Sequence, residues 1–315
     1  MVSVPGPARA AGALVAAGAG ALAWSLLEAR WYTLREVTVP VLPGGHAPLR
    51  VLHVSDLHLT PSQRDKVAWV RDLATLDPHL VVDTGDNWAH PGSLGPLAQA
   101  LEPLLARPGA FVMGSNDYIA PQPKNPARYL QRDARRQHAN PPRQLPWREL
   151  LRLFTSADWV DLDNCRGALD VDGRRLSLVG TDDAHLDRDA FPDAGGADDA
   201  RLDAARPVDL HLGVTHAPYR RVLDRMLEDD ADLVLAGHTH GGQLAVPGWG
   251  ALVTNCDLDT RRAKGLHGWP GARPDRSGGA GSTWLHVSGG LGTSPYAPVR
   301  FACRPEATLL TLVPA

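Results

Sequence analysis

Five short segments of the chain place metal-binding side chains directly after an apolar stretch. In an open α/β sheet, functional groups collect just beyond the carboxyl ends of the strands, so segments distant in sequence can face one crevice. The sequence therefore predicts a single site at such an edge. The segments are Asp56-Leu57-His58, Gly85-Asp86-Asn87, Gly114-Ser115-Asn116-Asp117, His216 and Gly237-His238-Thr239-His240.

These segments supply carboxylates and imidazoles but no thiolates. That donor set suits zinc, manganese or iron and disfavours a purely structural zinc site. Alternate residues of an extended segment project to the same side, so both ligands of Asp-x-His or His-x-His can face one ion. A carboxylate such as Asp86 can bridge two ions with its two oxygens. Two ions about 3.5–4 Å apart can clamp a phosphoryl group and generate a hydroxide at neutral pH.

The composition is that of a globular protein with a substantial core. The chain has 315 residues, of which 43% are hydrophobic and 21% charged, and its formal net charge is −3. This charge gives no reason to expect a nucleic-acid partner. The cysteines Cys165, Cys256 and Cys303 lack the spacing of a disulfide framework or a thiolate zinc site. Three histidines outside the five segments are interpreted as structural: His53, His79 and His211.

The elements that would position the site alternate between strand and helix patterns. Strands are predicted over residues 35–42, 49–56 and 79–86 and at the apolar run before Gly114. A helix is predicted over residues 62–76, with Ser62 and Asp65 as a capping box, and a second helical stretch contains Leu97 to Leu105. Further strands are predicted in the second half of the chain. This alternation predicts a layered α/β fold.

The first 34 residues are predicted to be a membrane segment, and residues 35–315 the catalytic domain. Residues 10–27 carry no charge over a length that fits a minimal membrane-spanning helix. They also fit a signal peptide, with Ala21–Ala23 as a cleavage site that would give an exported protein. The alternative is a buried helix rich in alanine and glycine. We favour an uncleaved single-pass anchor, because the apolar run continues through Trp24, Leu26 and Leu27, and the side of the membrane stays open.

Residues 119–149 are predicted to form a basic insertion that caps the domain. The segment is rich in proline and has more basic than acidic residues. Its arginines can form forked hydrogen bonds to further phosphates of a substrate or to an anionic lipid headgroup. The alternative is a solvated surface excursion. The arginines assigned to substrate binding are Arg132, Arg135 and Arg136.

The segments "SDLHL", "TGDNW", "GSNDY", "THAP" and "GHTHGGQ" resemble, in this order, the signature blocks of the calcineurin-like metallophosphoesterase superfamily. The resemblance extends from about Leu49 to the C-terminus. With the N-terminal segment and the run from Gly289 to Leu312, the block "GHTHGGQ" resembles the membrane-associated bacterial branch. The resemblance implies a two-sheet αββα sandwich with a dimetal centre at its edge.

The resemblance also implies roles for individual residues. It assigns Asp56, His58 and His240 to a first divalent ion and His216 and His238 to a second, with Asp86 bridging the two. The ions would be manganese, iron or zinc. The fourth block is usually Gly-Asn-His followed by Asp or Glu, and here Ser115 stands at the asparagine position and Asn116 at the histidine position. Catalytic roles are expected for Asp86, Asn116 and Asp117, and a substrate contact for Asn87.

The altered fourth block has two consequences. A serine hydroxyl is a poorer metal ligand than an amide oxygen, so either Ser115 or a shifted Asn116 completes the second ion, and the sequence leaves both open. No imidazole is available in this loop to protonate a leaving group, a contribution typically worth about 10²–10⁴-fold. We therefore expect a preference for better leaving groups, such as pyrophosphates or aryl phosphates, unless His185 or His138 substitutes.

The predicted function is dimetal-dependent hydrolysis of a phosphate ester or pyrophosphate. The substrate would be a phosphorylated small molecule or a lipid-linked or envelope compound. One alternative is a catalytically impaired metal-binding or scaffold protein at the membrane. Another is a nucleotide phosphodiesterase, which the neutral charge and the aromatic content of 6% disfavour. The oligomeric state stays open.

Overall fold

The structure is a computed structural model, and it describes residues 7–123, 143–195 and 207–315. Within these ranges a long N-terminal helix precedes an α/β arrangement in which several helices directly follow a strand. The helices are α1 (Pro7–Glu28), α2 (Arg64–Asp72), α3 (Leu94–Leu105), α4 (Ser115–Tyr118), α5 (Trp147–Thr155) and α6 (Arg220–Glu228).

The strands form two six-stranded sheets and one short hairpin. They are β1 (Thr33–Leu42), β2 (Leu49–Val54), β3 (Leu80–Asp83), β4 (Gly109–Phe111), β5 (Val160–Asp161), β6 (Arg166–Val171), β7 (Arg174–Thr181), β8 (Leu210–Thr215), β9 (Leu233–Ala236), β10 (Ala245–Val246), β11 (Gly250–Ala251), β12 (Gly265–Trp269), β13 (Thr283–Val287) and β14 (Glu306–Pro314). The first sheet has the order β1-β14-β2-β3-β4-β5, the second has the order β12-β13-β9-β8-β7-β6, and β10 pairs with β11.

Each large sheet is parallel where it carries the predicted site. Strands β2 to β5 run parallel in the first sheet, and β7, β8, β9 and β13 run parallel in the second. Antiparallel pairing occurs between β14 and β2, and at the edges of the second sheet, where β12 and β6 lie. The carboxyl ends of the parallel strands therefore supply the loops of one edge.

The core lies in three apolar layers around the two sheets. Side chains such as Val51, Leu80, Leu212 and Leu235 fill the space between the sheets. Helices α2, α3 and α5 cover the outer face of the first sheet, and α6 covers that of the second. Burying each aliphatic side chain contributes about 1.5–3 kcal/mol. This confirms the predicted mixed α/β fold with two packed sheets.

Some local predictions are wrong. The cap residue of α2 is Gln63, and no side chain caps the helix, so Ser62 and Asp65 do not form a capping box. The oxygen of Gln63 instead accepts from the N–H of Thr60 at 2.9 Å. Strands β6 and β12 and the β10–β11 hairpin were not predicted. The segment after Gly114 forms the single helical turn α4 rather than an extended loop.

Helix α1 is long and apolar enough to cross a membrane over Ala11–Glu28, by length and composition only. Its carboxyl end is attached to the domain. The buried carboxylate of Glu28 accepts from the backbone N–H groups of Ala302 and Cys303 at 3.0 and 2.7 Å. Strand β1 begins five residues later. The division of the chain at residue 34 stays a prediction.

The two ends of the predicted basic insertion are joined. The N–H of Ala120 donates to Arg143 O at 2.9 Å, and that of Leu145 donates to Tyr118 O at 2.8 Å. Helix α5 begins at Trp147 and packs on the first sheet, so the last residues of the predicted cap belong to the core. Arg132, Arg135, Arg136 and His138 lie outside the described residues.

Candidate metal centre

The loops that follow the central strands of both sheets meet at one edge. The N–H of Asp56 donates to Gly85 O at 2.8 Å, which joins the loops after β2 and β3. In the second sheet the N–H of Gly237 donates to His216 O at 2.9 Å. The two sheets are joined here because the N–H of His238 donates to the Asp56 carboxylate at 3.0 Å. The predicted site residues of both sheets therefore share one crevice.

Five residues of this crevice have left-handed backbone conformations. Their φ values lie between 40° and 69°, a region that side chains other than glycine rarely occupy. Such conformations cost of order 1–3 kcal/mol each and concentrate at functional sites. The loops therefore hold these side chains inward at the expense of local backbone energy. The residues are Asp56, His58, Asp86, His238 and His240.

Four of these residues form a compact group that could hold a metal ion. The ligand atoms of Asp56, His58, Asp86 and His240 all lie within 4.8 Å of one another. Nε2 of His58 is 3.1 Å from Nε2 of His240 and 3.3 Å from Oδ2 of Asp86. Nε2 of His240 is 3.6 Å from Oδ1 of Asp56. The sequence analysis assigned Asp56, His58 and His240 to a first ion and Asp86 to a bridge between this ion and a second one.

Two further histidines lie on the other side of Asp86. Nε2 of His216 is 3.6 Å from Oδ1 of Asp86, and the ring of His216 lies 5.2 Å from that of His238, centroid to centroid. The two oxygens of Asp86 thus face different histidines, with His58 on the Oδ2 side. This arrangement is the one a bridging carboxylate needs.

The outward nitrogens of these rings are held by backbone carbonyls. His216 Nδ1 is 2.6 Å from Thr84 O, His240 Nδ1 is 3.1 Å from Gly292 O, and His238 Nε2 is 3.2 Å from Asn255 O. A carbonyl accepts only, so these contacts favour the proton on the outward nitrogen of His216 and His238 and leave their other nitrogen facing the crevice. At His240, Nη2 of Arg300 also lies 3.3 Å from Nδ1 and can only donate. Metal-ligating histidines are oriented in this way.

The residues present fit divalent ions. Nε2 of His216 is buried and has no hydrogen-bond partner among the described residues. The facing Nε2 atoms of His58 and His240 are 3.1 Å apart. Gly114 leaves the space open, because a Cβ there would lie 2.4 Å from Oδ1 of Asp86. The lone pairs of this group converge on a position that a cation would satisfy.

The electrostatics of the buried groups agree with this fit. Burial raises the pKa of Asp56 and that of Asp183 to about 6. Burial lowers the pKa of His216, but the carboxylates of Asp86, Asp183 and Asp56 outweigh it and bring the pKa to about 9. Burial lowers the pKa of His58 to about 4. Buried carboxylates of this kind are paired or coordinate metals, and a divalent ion would displace the proton that they hold on His216 and supply the positive charge in its place.

The altered fourth block brings Asn116 to the metal group. Its backbone N–H donates to Oδ1 of Asp86 at 2.6 Å and its side-chain Nδ2 donates to Oδ2 at 2.7 Å. The side chain of Ser115 instead lies near Asp183 and lowers the pKa of its carboxyl, against the larger effect of burial. Which of the two residues completes the coordination of a second ion stays a prediction. The contacts favour Asn116, because it already touches the proposed bridging carboxylate.

Asp117 lies beneath the site. Oδ2 accepts from the N–H groups of Asp86 and Gly114 at 2.8 and 2.9 Å, and Oδ1 accepts from that of Asn87 at 2.8 Å. These contacts are those of a residue that positions the loops, because its carboxylate is buried among backbone amides. They do not fit a direct catalytic role.

The predicted substrate contact of Asn87 does not fit its position. The side chain is fully buried, and its amide Nδ2 donates to Oδ1 of Asp83 at 3.1 Å. The structural interpretation of two other histidines is confirmed. His53 bonds to His286 and Thr84 inside the core, and Nε2 of His211 is 2.8 Å from the Asp229 carboxylate.

Three residues that were given no role, or only a tentative one, also adjoin the site. Arg300 is fully buried, and its guanidinium donates to the carbonyls of Gly289, Gly290 and Gly292 at 2.8, 3.0 and 2.7 Å. It thereby fixes the loop whose Gly292 carbonyl orients His240. Asp183 follows β7 and lies near Ser115. No sequence pattern marks Arg300 as a buried arginine.

His185 enters the crevice from the loop after β7. Its ring lies 4.5 Å from that of His238, centroid to centroid, and its Nδ1 is 3.0 Å from the Tyr219 hydroxyl. The sequence offered His185 or His138 as a replacement for the missing histidine of the fourth block. Of these two, His185 is within the described residues and lies beside the metal group.

Comparison with known proteins agrees with this site. The family model described as calcineurin-like phosphoesterase matches residues 49–242. The protein YpbG of Bacillus subtilis is 25% identical over 308 residues, which cover 96% of each chain. The phosphodiesterase YaeI of Escherichia coli is 26% identical and covers 97% of each chain. A bovine transmembrane protein with a metallophosphoesterase domain is 27% identical over 289 residues, which are 89% of this chain and 56% of the bovine one.

The matched region begins at the first residue of β2 and ends two residues after His240. It therefore includes every predicted metal ligand and the central strands of both sheets. Together with the convergence of these ligands at one edge, this match shows that the chain belongs to the calcineurin-like phosphoesterase family.

Proposed function

We propose that this protein hydrolyses a phosphate ester, phosphodiester or pyrophosphate bond with the help of two divalent ions. The observation that carries the proposal is the position of Asp86. Its Oδ2 is 3.3 Å from Nε2 of His58 and its Oδ1 is 3.6 Å from Nε2 of His216. A carboxylate set between two groups of lone pairs is suited to join two cations.

The described residues would divide between the two ions. Asp56, His58 and His240 would hold the first, His216 and His238 the second, and Asp86 would bridge them. The amide oxygen of Asn116 would be available to the second ion. When bound, manganese, iron or zinc would supply Lewis-acid polarisation of a phosphoryl oxygen and of water.

The chain's own residues would position these groups and handle a proton. Asn116 holds Asp86 from two sides, and Asp117 fixes the backbone of the loops that carry both. Arg300 holds the loop that orients His240. The imidazole of His185 lies beside His238, is not a proposed ligand, and could give a proton to a departing oxygen.

The bond broken would have a good leaving group. The fourth block supplies no imidazole, and His185 approaches from the second sheet rather than from α4. A pyrophosphate, an aryl phosphate or an aryl phosphodiester fits this site better than a simple alkyl ester. The relative YaeI is named a phosphodiesterase, which supports the diester.

A lipid-linked substrate at the membrane is part of the proposal. Helix α1 has the length and apolarity of a membrane span, and the bovine relative is named a transmembrane protein. An uncleaved anchor would hold the crevice near lipid headgroups. Arg132, Arg135 and Arg136 are proposed to bind further phosphates of such a substrate.

The experiment combines metal content with turnover. The full chain, purified in detergent and loaded with manganese, is assayed on bis-p-nitrophenyl phosphate, p-nitrophenyl phosphate and a pyrophosphate-linked lipid. Asp86→Ala should lose bound metal and turnover, the latter by about 10³-fold or more, since the ions contribute several kcal/mol. Asp72→Ala, at an exposed position at the end of α2, is the matched control and should change neither.

Two results would contradict the proposal. Two bound ions with no turnover on any substrate would favour a metal-binding scaffold protein. Full turnover by the Asp86→Ala variant would show that Asp86 is not needed for catalysis.

A further inference from the structure

Exposed apolar side chains collect in one region of the catalytic domain. Among the described residues after position 31, the large apolar side chains that are exposed are Val246, Trp249, Leu252 and Tyr296. Three of them belong to the β10–β11 hairpin and the residue that follows it, and Trp249 in its turn is 83% exposed. A projecting tryptophan flanked by aliphatic residues is costly in water and typical of a surface that meets another apolar phase.

The hairpin is attached to the loop that holds the carboxyl end of α1. The N–H of Ala245, at the start of β10, donates to Phe301 O at 2.8 Å. The next residue, Ala302, donates its N–H to the Glu28 carboxylate at 3.0 Å. Tyr296 joins the same region, because the amide of Gln243 donates to Ala297 O at 2.8 Å. The hairpin and the end of α1 are therefore both hydrogen-bonded to the same short segment, Phe301–Ala302.

The end of α1 itself carries aromatic and basic groups. Trp24 and Trp31 are exposed and meet edge to face at 6.1 Å between ring centroids. The guanidinium of Arg304 lies 4.2 Å from the ring centroid of Trp31. Tryptophans that end an apolar helix beside arginine are typical of the interface between membrane and water. This end of α1 and the hairpin would therefore lie at the same depth.

A surface cleft lies beside the hairpin. It has a volume of about 790 Å³, and its lining includes Val246, Trp249, Ala251 and Ala302 on the apolar side and Arg261 and Lys264 on the other. Arg261 is exposed, whereas Lys264 is half-buried and its Nζ lies 3.7 Å from the Glu306 carboxylate. The exposed guanidinium of Arg261 beside apolar side chains matches an anionic lipid surface. Gly241, directly after the metal-site residue His240, also lines the cleft.

We propose that the hairpin, Tyr296 and the end of α1 form one membrane-contacting face, and that its partner is a lipid bilayer with anionic headgroups. The hairpin dips into the headgroup region, and α1 continues from the same face into the bilayer. The contact fixes the orientation of the domain, which a flexible tether would leave free. Because the cleft reaches Gly241, the "GHTHGGQ" loop is held at the lipid surface.

The test measures how deeply the hairpin lies in a lipid bilayer, and it uses the full chain. Val246→Cys is labelled with an environment-sensitive fluorophore in a Cys165→Ser background, where Cys256 and Cys303 are buried. The protein is reconstituted in phosphatidylcholine–phosphatidylglycerol vesicles with a nitroxide near the top of the acyl chains. Because interfacial segments lie about 5–10 Å into the bilayer, we expect at least about a twofold loss of fluorescence.

Ser156→Cys is the matched control position. It is exposed and precedes β5, at the edge of the first sheet opposite β1, which follows α1. Its label should not be quenched, and Trp249→Asp should weaken quenching at position 246. Equal quenching at positions 246 and 156, or none at 246, would overturn the proposal.

The consequence for catalysis rests on the proposed function and is measured separately. Trp249→Asp should raise the KM for a pyrophosphate-linked lipid in vesicles about fivefold, as expected when about 1 kcal/mol of interfacial binding is lost. Its KM for soluble bis-p-nitrophenyl phosphate should not change. An equal rise for both substrates would contradict the membrane role of Trp249. Absence of hydrolysis by the wild type would instead contradict the proposed function and leave the depth measurement standing.

Discussion

Asn116 holds both oxygens of the Asp86 carboxylate. Its backbone N–H donates to Oδ1 at 2.6 Å and its side-chain amide donates to Oδ2 at 2.7 Å. The residue that stands at the usual histidine position of the fourth block is therefore bound to the proposed bridging ligand. The side chain of Ser115 lies near Asp183 instead. Of these two residues of α4, Asn116 is therefore the one that contacts the proposed bridging ligand.

Replacing Asn116 should weaken the metal centre. In Asn116→Ala the side-chain hydrogen bond to Asp86 is lost and the backbone bond remains, so metal affinity or turnover should fall about 10–100-fold. Manganese titration and turnover on bis-p-nitrophenyl phosphate measure the two effects. Ser115→Ala is the matched comparison in the same turn. A larger loss of metal in Ser115→Ala than in Asn116→Ala would identify Ser115 as the ligand.

His185 should matter most for substrates with poor leaving groups. If it protonates the departing oxygen, His185→Asn should reduce turnover by about 10²–10⁴-fold for an alkyl phosphodiester. A p-nitrophenyl ester departs without this help and should be affected much less. The measurement is a leaving-group series for wild type and variant, with metal content determined in parallel. An equal loss across the series would show that His185 acts only by packing against His238.

The gathering of the proposed ligands at one edge could be predicted from sequence because each directly follows an apolar strand. Asp56 and Asp86 stand just after β2 and β3, and strand direction alone brings such residues to one edge. The left-handed backbone of His238 could not be predicted, because it depends on contacts between loops that are distant in sequence. The same holds for Arg300, whose carbonyl partners are set by the tertiary fold. Whether Ser115 or Asn116 contacts Asp86 depends on the helical turn α4, and the strand pattern of the sequence did not indicate this turn.

Asp117 should prove to be a positioning residue. In Asp117→Asn, an NH₂ group replaces one of the two oxygens that accept from backbone N–H groups. The backbone N–H groups that donated to this oxygen lose their acceptor, and each buried amide left unpaired costs about 1–3 kcal/mol. We therefore expect a lower free energy of unfolding together with reduced metal content, since the loop of Asp86 loses its support. Urea unfolding followed by tryptophan fluorescence measures the first effect. Asp72→Asn is the control, and unchanged stability in Asp117→Asn with lost turnover would indicate a direct catalytic role.

The buried pair His53 and His286 should make the fold sensitive to acid. Their Nδ1 atoms are 3.0 Å apart, and burial lowers the pKa of His286 to about 4, whereas an unfolded histidine has a pKa of about 6.5. The folded state therefore binds a proton less readily than the unfolded state. The stability is fully present above pH 6.5 and is lost as the pH falls toward 4. Between pH 7.5 and pH 5 this loss amounts to about 2 kcal/mol for His286.

Removing the titrating group should remove that loss. His286→Gln, which keeps a polar group in the core, should be less stable than wild type at pH 7.5 but should lose about 2 kcal/mol less between pH 7.5 and pH 5. The free energy of unfolding in urea, measured at both pH values on the metal-free full chain in detergent, tests this difference. Metal is left out so that loss of bound ions at low pH does not contribute, and the titration of the free ligand side chains is common to both proteins. Parallel pH dependence in the two proteins would show that His286 is already charged in the folded state or equally buried in the unfolded one.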